Sequence, residues 1–197
     1  MRLADIRNLA GLLMCGAALA GCQAADPPLG RVDDFQLVER SGRSVTRDDL
    51  EGKVWVAAFS FTRCAGPCTQ ISGAMAQLQQ QVAGQSDVRL VSFTVDPEHD
   101  TPDVLAAYAK KFAADPDRWL FLTGDREKMY ALIQHSFKLG VAQAEGTART
   151  PGNEVLHSTR LVVVDRQGNI RGYFDGTEEK SLGELRKKVA GLLREKN

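Results

Sequence analysis

Apolar residues crowd into two long runs that do not alternate, residues 54–61 and 88–95, and a shorter one at 119–122. Runs of this length, rich in β-branched and aromatic side chains, predict strands buried on both faces. Between them the period changes. From Pro67 to about residue 82, Ile71, Met75, Leu78 and Val82 recur at helical spacing, and Pro67 suits a first turn. Thr101 followed by Pro102 predicts a capped helix running to about residue 114, and Asp125 caps another that ends near residue 137. Short strands over residues 35–39 and 43–45 turn at Ser41-Gly42, and residues 48–51 predict one helical turn. Residues 160–165 and 170–174 flank Arg166-Gln167-Gly168-Asn169, a hairpin signal. A last amphipathic helix follows Thr177, with Leu182, Leu185, Val189, Leu192 and Leu193 on its apolar side. Residues 138–156 follow neither period and hold Gly140, Gly146, Pro151 and Gly152; a connection this long is more often functional than mere linkage.

Strands alternating with helices in this order predict an α/β domain with a thioredoxin-like fold, extra N-terminal strands and a long loop before the penultimate hairpin. The N-terminus changes the picture of where that domain starts. Arg2 and Arg7 precede an apolar stretch from residue 9 to residue 20, which ends in Leu19-Ala20-Gly21-Cys22. This is the pattern of a secretory signal, too short for a conventional membrane span. Its end resembles a bacterial lipobox, with cleavage before Cys22 and lipid attached to that cysteine. The expected organisation is a lipoprotein signal peptide over residues 1–21, a polar tether over 22–32 and one domain over 33–197. The chain would then sit on the periplasmic side of a bacterial membrane.

Processing also changes the cysteine arithmetic. Of four cysteines, Cys15 leaves with the signal and Cys22 becomes the anchor, so Cys64 and Cys68 are the remaining thiols. That excludes a disulfide-stapled scaffold. Charge excludes one more class. The chain carries 25 basic and 25 acidic residues with no basic block, so nucleic-acid binding has no electrostatic support.

Cys64 and Cys68 follow the buried run at a strand-to-helix turn, where partial positive charge at a helix N-terminus favours thiolate and Arg63 is expected to add to it. Four residues apart in regular helix, their Cβ atoms would be about 5–6 Å apart. A disulfide wants about 3.5–4.5 Å. Two sulfurs on one metal need to be only about 4 Å apart, which the longer spacing allows. The Ala65-Gly66-Pro67 insert can bend to permit either, so a metal site and a redox-active Cys64–Cys68 disulfide both stand. His157 discriminates. It precedes the 160–165 strand, where this fold brings its loop over the helix that carries Cys68. Two sulfurs and one nitrogen suit a soft ion such as copper, whereas a dithiol exchanger needs no imidazole there. His99, in a charged turn, and His135, on a helix, read as structural or solvated.

Taken together these elements resemble the Sco/SenC family of copper-binding proteins. The carrying segments are Phe59-Ser60-Phe61-Thr62-Arg63-Cys64 with Cys68 after three residues; Val91 to Pro102, with Val95-Asp96-Pro97-Glu98; Leu122-Thr123-Gly124; and His157-Ser158 before Leu161 to Asp165 and Gly168. They run in family order over roughly residues 35–195. The resemblance implies Cu(I) or Cu(II) held by Cys64, Cys68 and His157, with Asp96 near the site as a modulator of the ligands; as readily, Asp96 is a strand-end cap for the Thr101 region. It implies a metallochaperone that delivers copper to, or matures, the dinuclear copper site of cytochrome c oxidase. Its partner would be a copper-receiving membrane protein, an oxidase subunit. The alternative is a dedicated thiol-disulfide reductase of a partner's cysteines. Ala65 and Thr69 stand where the family usually has proline, and Arg63 where it often has histidine.

Overall fold

The computed structural model of the chain describes residues 27–195. The signal segment, Cys22 and the first part of the tether lie outside the described residues. Among the described residues, no helix is long and apolar enough to cross a membrane.

Among the described residues ten strands form: β1 (Gly30–Arg31), β2 (Gln36–Glu39), β3 (Ser44–Thr46), β4 (Val54–Ser60), β5 (Val88–Thr94), β6 (Trp119–Thr123), β7 (Val141–Gln143), β8 (Val155–His157), β9 (Arg160–Val164) and β10 (Asn169–Asp175). Helices α1 (Cys68–Gln81), α2 (Pro102–Lys111), α3 (Arg126–Ala131) and α4 (Glu179–Arg194) complete the fold. Eight strands form one sheet in the order β1-β10-β9-β4-β5-β6-β2-β3. β4, β5 and β6 are mutually parallel, and β9 runs antiparallel to β4. This is the thioredoxin-like α/β architecture with added N-terminal strands. The hairpin at Arg166–Asn169 forms as its turn residues require: the Asp165 carboxylate accepts from the backbone N–H of Gln167 (3.0 Å) and Asn169 (2.8 Å).

The central strands lack sequence alternation because both faces are covered. Trp55, Ala57 and Phe59 of β4 enter one core with Val91 and Phe93, under α3 and Phe137. Val54, Val56 and Ala58 enter the other with Ile71, Met75 and Leu78 of α1 and Leu185 and Val189 of α4. Phe137, fully buried, packs edge-on to Phe59 at 4.9 Å and to Trp55 at 6.1 Å between ring centroids. Two caps act as read from the sequence. Thr101 Oγ1 accepts from Val104 N, and Asp125 Oδ1 accepts from Lys128 N at 2.9 Å. The helix after Asp125 ends near residue 137 as expected, but beyond Ala131 it widens into a π turn over Leu132–Ser136.

Two expectations need correction. The sheet begins inside the segment 22–32 expected as tether. Leu29 N donates to Ile170 O and Val32 N to Gly168 O, both at 2.9 Å, and Val32 is buried. Ordered structure therefore starts ahead of residue 33. The segment 138–156 is also not a structureless loop. β7 lies within it and pairs antiparallel with β8, which starts in it and ends at His157, from Val141 opposite His157 to Gln143 opposite Val155. Strands of three residues are too short to show a period, so the pattern of apolar positions could not reveal them.

Candidate metal centre

β4 ends at Ser60, and the chain turns through Phe61, Thr62 and Arg63 into Cys64 before α1 opens at Cys68. The cysteines are thus on a bent loop and a helix start, not on one helix face. Thr62 anchors this turn: its backbone N–H (3.1 Å) and hydroxyl (2.6 Å) both donate to the carboxylate of Asp100, which also accepts from Thr94 Oγ1 at 2.6 Å. Asp100 is fully buried, and burial raises its pKa against the opposing pull of the two threonines. Asp100 was not singled out from the sequence, although it lies in the Val91-to-Pro102 stretch that carried the resemblance.

His157 closes the β7–β8 hairpin. The sulfurs of Cys64 and Cys68 and a ring nitrogen of His157 all lie within 4.8 Å of one another. Nε2 is 3.3 Å from Cys68 Sγ, and Nδ1 is 3.0 Å from the carbonyl oxygen of Ser158. A carbonyl only accepts, so Nδ1 carries the proton and Nε2 points its lone pair at the sulfur. Phe61, buried and edge-on to the imidazole at 5.7 Å, limits the ring's other orientations.

Burial sets the charge state. Desolvation, helped by the neighbouring Cys64, pushes the Cys68 thiol well above the ordinary thiol range. Desolvation also lowers the pKa of His157 against its bond to Ser158. The pair is a neutral thiol donating to a neutral imidazole. The pull toward thiolate expected from the helix N-terminus is opposed at Cys68, which is 1 % exposed, by loss of water, which pushes the thiol the other way. Arg63 does not serve the thiols either. Its guanidinium reaches Asp96 Oδ2 at 2.8 Å and Glu154 Oε1 at 3.3 Å.

The donor set fits a soft ion. Sulfur and imidazole bonds of about 2.0–2.3 Å to one centre require donors about 3.5–4 Å apart, close to the separations found. Cys64 is half-buried and lines a cleft of about 180 Å³ with His157, Gly66 and Asn153, while Cys68 lies behind it. Asp96 stands outside the donor cluster and pairs with Arg63, the residue before Cys64. Glu154, 9 % exposed, was not singled out from the sequence; an acid three positions before His157 was its only signal. His99 and His135 are exposed and stand apart from the site.

The SCO1/SenC family model matches residues 24–194. The SCO1 protein homolog of Bacillus subtilis is 32 % identical over 169 residues, which cover 85 % of this chain and 84 % of that protein. The crystal structure of a SCO1/SenC family lipoprotein from Bacillus anthracis superposes with a TM-score of 0.78 at 30 % identity, covering 87 % of this chain and all of the other. BsSco, described with a disulfide switch and as a member of the Sco family of cytochrome c oxidase assembly proteins, gives 0.74 at 29 % identity, over 88 % of this chain and all of the other.

Proposed function

The chain belongs to the SCO1/SenC family, and on that premise we propose that it is a copper-binding metallochaperone with Cys64, Cys68 and His157 as ligands. It acts from the periplasmic side of a bacterial membrane, held by lipid on Cys22, and serves a copper-receiving oxidase subunit. The observation that carries the reading is the aim of Nε2 of His157: its tautomer is set by Ser158 O, and its lone pair faces Cys68 Sγ, with Cys64 Sγ in the same cluster. Bound copper supplies a soft Lewis acid that takes the place of the thiol protons, so loading releases protons to water. The Leu19-Ala20-Gly21-Cys22 ending and a lipoprotein among similar structures support the anchor.

The test is titration of the reduced full chain with Cu(I) and Cu(II) beside His157→Ala. One copper per chain is expected. His157→Ala should weaken Cu(II) by at least the roughly 10–100-fold that loss of a ligand's own hydrogen-bonding partner costs. A second reading has its own observation. Cys64 and Cys68 are both free thiols, and Cys64 opens on the cleft, as a dithiol reductase of a partner's disulfide would need. Undiminished Cu(II) affinity in His157→Ala would favour that reading.

A further inference from the structure

A two-stranded hairpin has little stability of its own, so the position of His157 depends on what docks β7–β8 against the domain. Val141 and Val155 tuck into the core. The side facing the cysteines is held by two other contacts. Ala65 N donates to Gly152 O at 2.9 Å, and Arg63 pairs with Glu154 at 3.3 Å. The same guanidinium makes a closer pair with buried Asp96, which projects from the turn after β5. One side chain thus joins three segments: the turn into Cys64, the turn after β5 and the hairpin. Glu154 Oε2 is buried with no hydrogen-bond partner, and the cost of burying this carboxylate is offset by backbone N–H groups of residues 152 and 154, by the paired Arg63 and, more weakly, by the charge of Arg149.

We propose that Arg63 is a positioning residue that straps the His157 hairpin to the cysteine turn, so that breaking its pair with Glu154 turns a three-donor site into a two-sulfur one. Arg63 touches none of the three donor groups. It works by geometry: a planar fork can hold two carboxylates from different segments at once, which a point-charge ammonium does less well. The inference rests on the reading of Cys64, Cys68 and His157 as metal ligands only for its second arm.

The first arm needs no metal. In the reduced, metal-free full chain, amide exchange over residues 152–157 should quicken roughly fivefold to tenfold in Glu154→Gln, with exchange in β4 and α4 unchanged. Arg63→Gln should do the same, the double variant no more than either single one, and Arg63→Lys less. In the second arm Cu(II) is titrated with electron paramagnetic resonance to read imidazole nitrogen. Arg63→Gln should weaken Cu(II) and diminish the nitrogen signature, while Cu(I), held by the sulfurs, changes less. The sign is decisive. If Arg63 acted only as a positive charge beside a cation, its removal would tighten copper binding. Tighter or unchanged Cu(II) binding, or unchanged exchange over 152–157, overturns the strap. Should the unaltered chain bind no copper, the proposed function fails while the exchange arm still decides the strap. Glu154→Gln keeps the Arg63–Asp96 pair, so the test survives if Arg63→Gln fails to fold.

Discussion

Gly152 is the position where a single methyl group should undo the site without touching a ligand. Its φ is +83°, and a Cβ built there would lie 2.4 Å from Ala65 Cβ and 2.8 Å from Ala65 N. Neither neighbour is the far end of a flexible side chain, so relief requires the two backbones to part. Left-handed φ costs an alanine about 1 kcal/mol relative to glycine. Parting the backbones forfeits the Ala65 N–H to Gly152 O bond, about another 1 kcal/mol, and the residual clash adds to both. Together about 2–3 kcal/mol should oppose docking, which lowers the docked population relative to the undocked by roughly 30- to 150-fold. The cost falls on the hairpin and not on the eight-stranded sheet, so global unfolding in denaturant should move little. The assay is amide exchange over residues 152–157 in the reduced, metal-free chain, with Cu(II) titration in parallel. Gly152→Ala combined with Ala65→Gly removes the 2.4 Å contact but not the φ penalty, and should restore part of both signals. If Gly152→Ala alone kept native exchange and native Cu(II) affinity, the claim that this backbone contact holds the hairpin would be refuted.

Other expectations concern the rest of the fold. In the metal-free chain, half-buried His157 resists a proton that the unfolded chain accepts, so stability should fall as pH drops below about 6.5, and His157→Gln should flatten that limb. Cys68 keeps a proton the unfolded thiol gives up, so stability should also fall as pH rises above about 8.5; denaturant midpoints across pH in wild type and Cys68→Ser check this sign. Asp100→Ala strands the Thr62 N–H and two hydroxyls, and should cost about 2–3 kcal/mol by chemical unfolding, with faster exchange at Thr62. Phe137→Ala removes the ring shared by Trp55, Phe59 and Phe93 and should cost about 3–5 kcal/mol; a denaturant midpoint within error of wild type would contradict the packing.

What could be read in advance follows from which forces leave a trace in composition. Burial on two faces leaves continuous apolar runs, and β4, β5 and β6 were legible for that reason. Caps leave single residues at fixed offsets, so Thr101 and Asp125 announced their helices, and Gly168 announced the β9–β10 turn. The hairpin carrying His157 leaves neither mark. β7 and β8 are three residues each, and beyond the burial of Val141 and Val155 what docks them is a few polar contacts, among them a backbone N–H beside a glycine and one guanidinium. The thiols were found by spacing, but the pull on the Cys68 proton was not foreseen: position beside a helix N-terminus is visible in sequence, and depth of burial at that position is not.

Two of the three positions where the chain departs from the family pattern, 63 and 65, bear directly on how the hairpin is held. Proline at 65 would have no N–H to offer Gly152 O; alanine there supplies it. Histidine at 63 lacks the reach and the fork to join Asp96 and Glu154 together; arginine does so. Both substitutions flank Cys64 in sequence, yet neither side chain enters the donor cluster. Each instead adds a polar contact to the segment that brings in the third donor. Residues that leave the ligands untouched can therefore tune the balance between an ion that needs the imidazole and one that is content with two sulfurs. In this chain that balance is set by how firmly residues 152–154 hold to 63–65.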